Sequence, residues 1–336
     1  MIRKTIRVAI NGFGRIGRAF FRICLKDPFI DIVMINDAYL IPDTLAYLCK
    51  YDSVYGVLPN DVSLIHEHLV VDGKKILLYQ SQGSETLPLN DYGVDVLVYA
   101  SGDLAQLDFL LPSLLDTSYK TIFTTHLKNE YISPFIYGTE KPDALATLKV
   151  VSLSTCDANA VLPIYQFLSS TFGIESASVV TLHPYLSSQN LLDGKSPSHE
   201  MELGRSAINT LIPKATSLEH ILKEYFPHDK KSLMAMSFRV PTSSVASAIM
   251  HFQFQRMVDP ETLKARIAEW CRTVCTRISL FTIDNCVSID YMQSHHSFII
   301  PGKFLNCVEN QVRIIAWYDN EWGYASRIYD CLRDFY

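Results

Sequence analysis

Ile6-Arg7-Val8-Ala9-Ile10-Asn11-Gly12-Phe13-Gly14-Arg15-Ile16-Gly17 reads as a buried strand that turns through three spaced glycines into a helix. The first glycine permits the tight turn, the second lets backbone approach a pyrophosphate, and the third lets helix pack on strand. The helix start supplies N–H groups and a partial positive charge to phosphates. Asp37 stands 20 residues after Gly17, at the end of a second apolar run, Ile32 to Ile35. A carboxylate there accepts from a ribose 2′-OH and repels a 2′-phosphate, so the pattern points to NAD and not NADP. Gly12, Phe13, Gly14, Arg15, Ile16, Gly17 and Asp37 are therefore cofactor-binding candidates. A bare G-x-G-x-x-G is common; the strand before it and the helix after it give this one its weight.

Outward from this motif, the first half alternates apolar runs with helical patterns. Val94 to Ala100 and Thr121 to Thr124 read as further buried strands, and Asp72-Gly73 between two apolar runs reads as a hairpin turn. Strand, helix, strand within a short span implies a parallel sheet with right-handed crossovers. The second half carries longer strand-like runs: Val179 to Leu182, Met234 to Val240, Ala248 to Phe254, Cys286 to Tyr291 and Val312 to Trp317. Asp259-Pro260-Glu261 starts a helix with Leu263, Ile267, Trp270 and Val274 on one face. The expected fold class is an α/β Rossmann-type NAD-binding domain plus an α+β catalytic domain with a mainly antiparallel sheet.

The chain has 336 residues, 48% hydrophobic and 19% charged, with a net charge of -5. That is room for two domains and excludes a disordered or fibrous chain. Without a basic stripe, dedicated nucleic-acid binding is not expected. No apolar run reaches the roughly 18 residues of a membrane span, and the start has no apolar core of a secretory signal. A cytoplasmic, reducing setting follows as the default, with all eight cysteines as free thiols. Cys271 and Cys275, four apart on a helix, lack a nearby histidine or second cysteine pair and read as core; no metal site is expected.

Cys156 stands among small polar residues with helix-like sequence from Ala160, where a helix N-terminus stabilises a thiolate. His183, just past the Val179 to Leu182 run, can act as base if the fold brings it within reach. From the residues alone, a cysteine and a histidine this far apart are more often core than a pair.

The strings INGFGRIGR (10–18), IND (35–37), KYDS (50–53), GVDVLVYASG (93–102), STCDAN (154–159), TLHPY (181–185), SFRVPT (237–242) and WYDNEWGYASR (317–327) together resemble the glyceraldehyde-3-phosphate dehydrogenase family, almost end to end. FGIES (172–176) and EYFPH (224–228) lean toward its erythrose-4-phosphate branch. The resemblance implies that Cys156 is the catalytic nucleophile and His183 the base. It implies that Arg239 holds the substrate phosphate, with Thr155 and Thr216 as further substrate-binding residues. Asn320 matches the residue that fixes the nicotinamide amide, and Thr124 a ligand near the nicotinamide. The implied chemistry is thiolate attack on a small phosphorylated aldehyde, hydride transfer to NAD and cleavage of the resulting thioester by phosphate or water.

The pattern also breaks. Where the family reads S-C-T-T-N, this chain has Thr155-Cys156-Asp157-Ala158-Asn159, so a carboxylate replaces a hydroxyl that donates to the attacking phosphate. Leu186 replaces a threonine in the H-A-Y-T string, Ser217 a glycine beside Thr216, and Tyr99 an acid. Gln82 stands near where the family carries a cofactor-contacting arginine. Two readings result: an aldehyde dehydrogenase with altered acyl acceptance, or an NAD-binding paralog that turns over weakly and acts as a sensor or partner subunit. The NAD-binding domain is expected over 1–155, completed by 319–336, with the catalytic domain at 156–318. Family resemblance further implies a homotetramer, in which Asn190 to Glu202 lines a neighbour's cofactor pocket.

Overall fold

Strand β1 (Ile6–Asn11) and helix α1 (Arg15–Cys24) carry the glycine motif in the computed structural model, which describes residues 4–82, 87–102, 114–196, 199–229 and 232–336. The first three residues and residues 197–198 of the expected pocket-lining loop lie outside that set. The chain divides into two units, Met1–Phe135 with Glu140–Ser154 and Ala325–Tyr336, and Ile136–Thr139 with Thr155–Tyr324. The second unit runs on through Asp319 because that carboxylate accepts from the Glu321 and Trp322 N–H groups and from Gln293 N–H at 2.8 Å, tying the turn to second-unit chain.

In the first unit, β2 (Ile30–Asn36), helix α2 (Pro42–Lys50), β3 (Val62–Ile65), β4 (His68–Val71), β5 (Lys74–Tyr79), β6 (Val96–Tyr99), β7 (Lys120–Phe123), β8 (Ser133–Pro134) and β9 (Val150–Ser152) follow. The sheet order is β3-β4-β5-β2-β1-β6-β7-β9-β8. Every pairing from β5 to β8 is parallel, and the β3-β4-β5 edge is antiparallel. The central strands are buried on both faces, as continuous apolar runs of a covered parallel sheet require. Asp72 (φ 48°) and Gly73 (φ 81°) turn the β4-β5 hairpin, both left-handed as a two-residue turn of this hand demands.

The second unit opens with helix α3 (Cys156–Phe172), followed by β10 (Ile174–Pro184), β11 (Ile212–Lys214), helix α4 (Ser217–Tyr225), β12 (Leu233–Val240) and β13 (Ala246–Phe254). Helix α5 (Pro260–Thr273), β14 (Ser279–Thr282), β15 (Phe298–Pro301), β16 (Asn306–Val308), β17 (Gln311–Tyr318) and helix α6 (Trp322–Phe335) complete the chain. The sheet runs β11-β12-β10-β13-β17-β15-β14, with β16 beside β17; only β10-β12 and β14-β15 are parallel. Phe167 stacks on Trp270 (4.4 Å between centroids), and Phe172 on Phe254 (5.2 Å), joining helices and sheet in one core.

Two sequence expectations fail here. Cys286 to Tyr291 is no strand: Asp290 accepts from the Val287 N–H at 2.8 Å and closes a short 3-10 turn, with Val287 and Ile289 exposed. Val274 leaves the buried face of α5 because the helix ends before it. Cys271 and Cys275 are buried, all eight cysteines are free, and no helix among the described residues is long and apolar enough to cross a membrane.

Candidate active site

The first unit holds a cavity at the carboxyl ends of β1, β2 and β6, where open parallel sheets bind ligands. Gly12, Gly14, Asp37, Tyr39, Gln82 and Tyr99 are among its walls. Gly12 has φ +101°, and a Cβ there would lie 2.4 Å from the Ser101 nitrogen; one on Gly17 would lie 2.2 Å from the Gly12 oxygen. A Cβ on Gly14 would meet nothing within 4 Å, which is the room a pyrophosphate needs at the start of α1. Asp37 accepts from the Phe13 N–H (2.9 Å) and from the Tyr39 and Leu40 N–H groups (3.0 Å), so backbone fixes its carboxylate at the cavity wall. Arg15 turns away to Asp52 (2.5 Å) and Tyr55, Phe13 is buried against Phe21, and Ile16 is half-buried, so these three shape the turn. Thr124, also in this unit, donates to the Tyr99 carbonyl at 3.2 Å.

The second unit gathers the other candidates. Thr155 caps α3 by accepting from the Ala158 N–H (3.2 Å), which sets Cys156 in the first turn beside Asp157. The half-buried Cys156 Sγ lies 3.7 Å from His183 Nε2 and 3.5 Å from Asp157 Oδ1. His183 is buried, and its Nδ1 lies 2.8 Å from the Pro184 carbonyl, which needs the proton on Nδ1 and leaves Nε2 bare toward the sulfur. His183 and Arg239 occupy one register position of the parallel strands β10 and β12, so they share a face of the sheet. Burial pushes the Cys156 thiol well above its ordinary value, the Asp157 charge adds to this, and the Arg239 charge opposes it. Burial lowers the His183 imidazole, against the Asp157 charge and with that of Arg239. Both directions favour the uncharged forms, thiol and neutral imidazole.

Thr216 caps α4 by accepting from the Leu218 N–H at 3.2 Å; like Thr155 it keeps its own hydroxyl proton to donate. Asn320 is buried with its Oδ1 lacking a partner, an acceptor that awaits a donor such as a carboxamide NH2. Leu186 is half-exposed, and Ser217 opens α4. Sequence reasoning missed Tyr318, whose buried hydroxyl donates to Asp157 Oδ1 at 2.7 Å. It also missed Asn36, which donates to Asn11 (2.7 Å) and to the Ser81 carbonyl (3.0 Å) and braces the cavity. Tyr318 is an unremarkable end-of-strand aromatic in sequence; only its place opposite Asp157 reveals a role.

Residues 6–107 match the model of the glyceraldehyde 3-phosphate dehydrogenase NAD binding domain, and residues 155–320 match that of its C-terminal domain. The chain belongs to the glyceraldehyde-3-phosphate dehydrogenase family. It is 31% identical to glyceraldehyde-3-phosphate dehydrogenase 3 of Saccharomyces cerevisiae, with 97% of each chain covered. It is 32% identical to glyceraldehyde-3-phosphate dehydrogenase 2 of Bacillus subtilis, with 98% of this chain and 96% of the relative covered. The family is one of NAD-dependent dehydrogenases, the stretch that matches its NAD binding domain lies within the first unit, and the open space at Gly14 with the fixed Asp37 carboxylate fits that cofactor.

Proposed function

We propose that this chain oxidises a small phosphorylated aldehyde, of glyceraldehyde-3-phosphate or erythrose-4-phosphate type, through a thioester on Cys156, and that water rather than phosphate releases the acid. The single observation that carries the reading is a thiol 3.7 Å from the bare nitrogen of an imidazole whose other nitrogen is tied down. His183 takes the thiol proton as sulfur attacks the aldehyde carbon, and returns a proton to the oxygen to give a hemithioacetal. It then removes that hydroxyl proton as hydride departs, leaving the thioester. NAD, when bound, would supply the hydride acceptor; Gly12, Gly14, Asp37 and Thr124 would hold it, and Asn320 matches the family residue for its nicotinamide end. Arg239, with Thr155 and Thr216, binds the substrate phosphate.

The choice of acyl acceptor rests on Asp157. The Asp157 carboxylate, 3.5 Å from the sulfur, repels an incoming inorganic phosphate, and Leu186 offers no hydroxyl in place of the family's threonine. The same carboxylate can accept a proton from water that attacks the thioester. The balanced reaction consumes aldehyde, NAD and water and yields acid, NADH and protons. Cytoplasmic location and a homotetramer accompany this reading.

NADH formation from both aldehydes, with and without inorganic phosphate and beside a Cys156→Ser control, is the test. Turnover independent of phosphate is expected. Phosphate-stimulated turnover would overturn the water reading. NAD binding without turnover on either aldehyde would instead favour an NAD-sensing or partner-binding paralog, for which the Asp157 carboxylate 3.5 Å from the Cys156 sulfur is the support.

A further inference from the structure

We propose that Cys156 Sγ, His183 Nε2 and a carboxylate oxygen of Asp157 form a reversible site for a thiophilic divalent cation, best fitted by Zn2+, and that an ion seated there blocks the nucleophile. The three donor atoms lie within 4.8 Å of one another. Zinc takes sulfur at about 2.3 Å and nitrogen or oxygen at about 2.0–2.2 Å in a tetrahedron, which sets neighbouring donors about 3.5 Å apart. The sulfur stands 3.7 Å from Nε2 and 3.5 Å from Oδ1, so two edges of that tetrahedron are already close to length.

The surroundings of the donors suit the same purpose. Histidines that bind metals usually give their other N–H to a carbonyl or carboxylate, and His183 Nδ1 does so to Pro184 at 2.8 Å. The Asp157 carboxylate is likewise held, by the Tyr318 hydroxyl at 2.7 Å. Thiolate and carboxylate together balance a divalent charge, with the imidazole neutral. Binding exchanges the thiol proton, released to solvent, for a sulfur–zinc bond, and nothing is oxidised or reduced. Three protein donors leave the fourth position to water, as in open zinc sites. Asp157 is the residue that decides the matter, since a threonine there would leave two good donors. Arg239 acts on the same groups and opposes a cation, so the ion should come off with EDTA.

The three donors would hold the ion whatever the acyl acceptor and whether or not the chain turns over, so the test reads the metal directly. The full chain is stripped with EDTA and titrated with Co2+. One equivalent should bring up a thiolate-to-cobalt charge-transfer band that Zn2+ displaces and that prior alkylation of Cys156 abolishes. Zn2+ should slow iodoacetamide modification of Cys156 about tenfold or more, and EDTA should restore it. Asp157→Thr, and independently Asp157→Asn, should weaken Zn2+ binding about tenfold or more. No band in the wild-type protein, or a band that survives alkylation, would overturn the site. Undiminished Zn2+ affinity in either folded Asp157 variant would remove Asp157 from it and overturn the proposal as stated. A chain without dehydrogenase activity would still give the band.

Discussion

The cavity of the first unit is lined by short stretches of chain at or just past the ends of β1, β2, β5 and β6 and is shaped by its glycines, whereas the thiol site of the second unit is assembled from side chains on α3, β10, β12 and β17. The first is a steric construction. Its glycines cannot grow, while wall residues such as Gln82 and Tyr99 differ from the family pattern without filling the cavity. The second is an electrostatic construction, in which a single exchange of hydroxyl for carboxylate at Asp157 alters the thiol, the imidazole and the Tyr318 hydroxyl together. A site shaped by glycines therefore tolerates changes in its walls, and a side-chain site can change its chemistry at one position while keeping its geometry.

The contrast is open to attack, and the sharpest blow is at the nucleophile. Cys156→Ser should lower NADH formation at least about a thousandfold while leaving the NAD dissociation constant within about twofold, because the two sites are built separately. A large loss of NAD binding in that variant, measured by fluorescence titration, would contradict the separation. His183→Asn should lower kcat by about a hundredfold or more with a smaller change in KM, as expected when a proton acceptor is lost. Equal loss in both constants would instead point to substrate binding.

On the steric side, Gly17→Ala places a methyl 2.2 Å from the Gly12 oxygen and must push α1 off β1. About 2–4 kcal/mol of stability should be lost, with weakened NAD binding, read by thermal unfolding with and without cofactor. A Gly17→Ala protein as stable as wild type would mean that the turn is softer than its packing implies. Burial works to raise the Asp52 carboxyl but is outweighed by Arg15 and by the Tyr55 and Val54 N–H groups, so it lies below the ordinary value. Its contribution is present above the unfolded value and fades as pH falls through the folded one. Asp52→Asn should thus cost about 1–3 kcal/mol at neutral pH, with the gap from wild type closing below about pH 4.

The smallest expected effect concerns the charge beside the sulfur. Burial is the main reason that the Cys156 thiol is raised, and Asp157 is the next. Asp157→Thr should therefore move the pH profile of iodoacetamide modification toward lower pH and speed the reaction several-fold near neutrality. An unchanged profile would leave burial as the whole cause and weaken the electrostatic half of the contrast.

How far the sequence could be read follows the same division. The strand, the glycines and Asp37 were legible because the turn, the helix start and the ribose acceptor fall within one strand–helix–strand unit. Cys156 and His183 were legible only through their resemblance to a family; as residues they are 27 positions apart, with nothing local to join them. Cys286 to Tyr291 misled because its apolar residues suggest a strand, while a carboxylate three residues on from Val287 closes a turn instead. Tyr318 and Asp157 lie 161 residues apart, and no periodicity connects them.

By itself the sequence determined the parallel strand–turn–helix unit and its phosphate-binding turn, since both follow from short-range sterics: which residues accept left-handed backbone and which can approach a phosphate. The tertiary structure alone decided that a sulfur, an imidazole and an unexpected carboxylate share one site. Their approach depends on strand register and on where α3 begins, which are set by packing across the whole sheet.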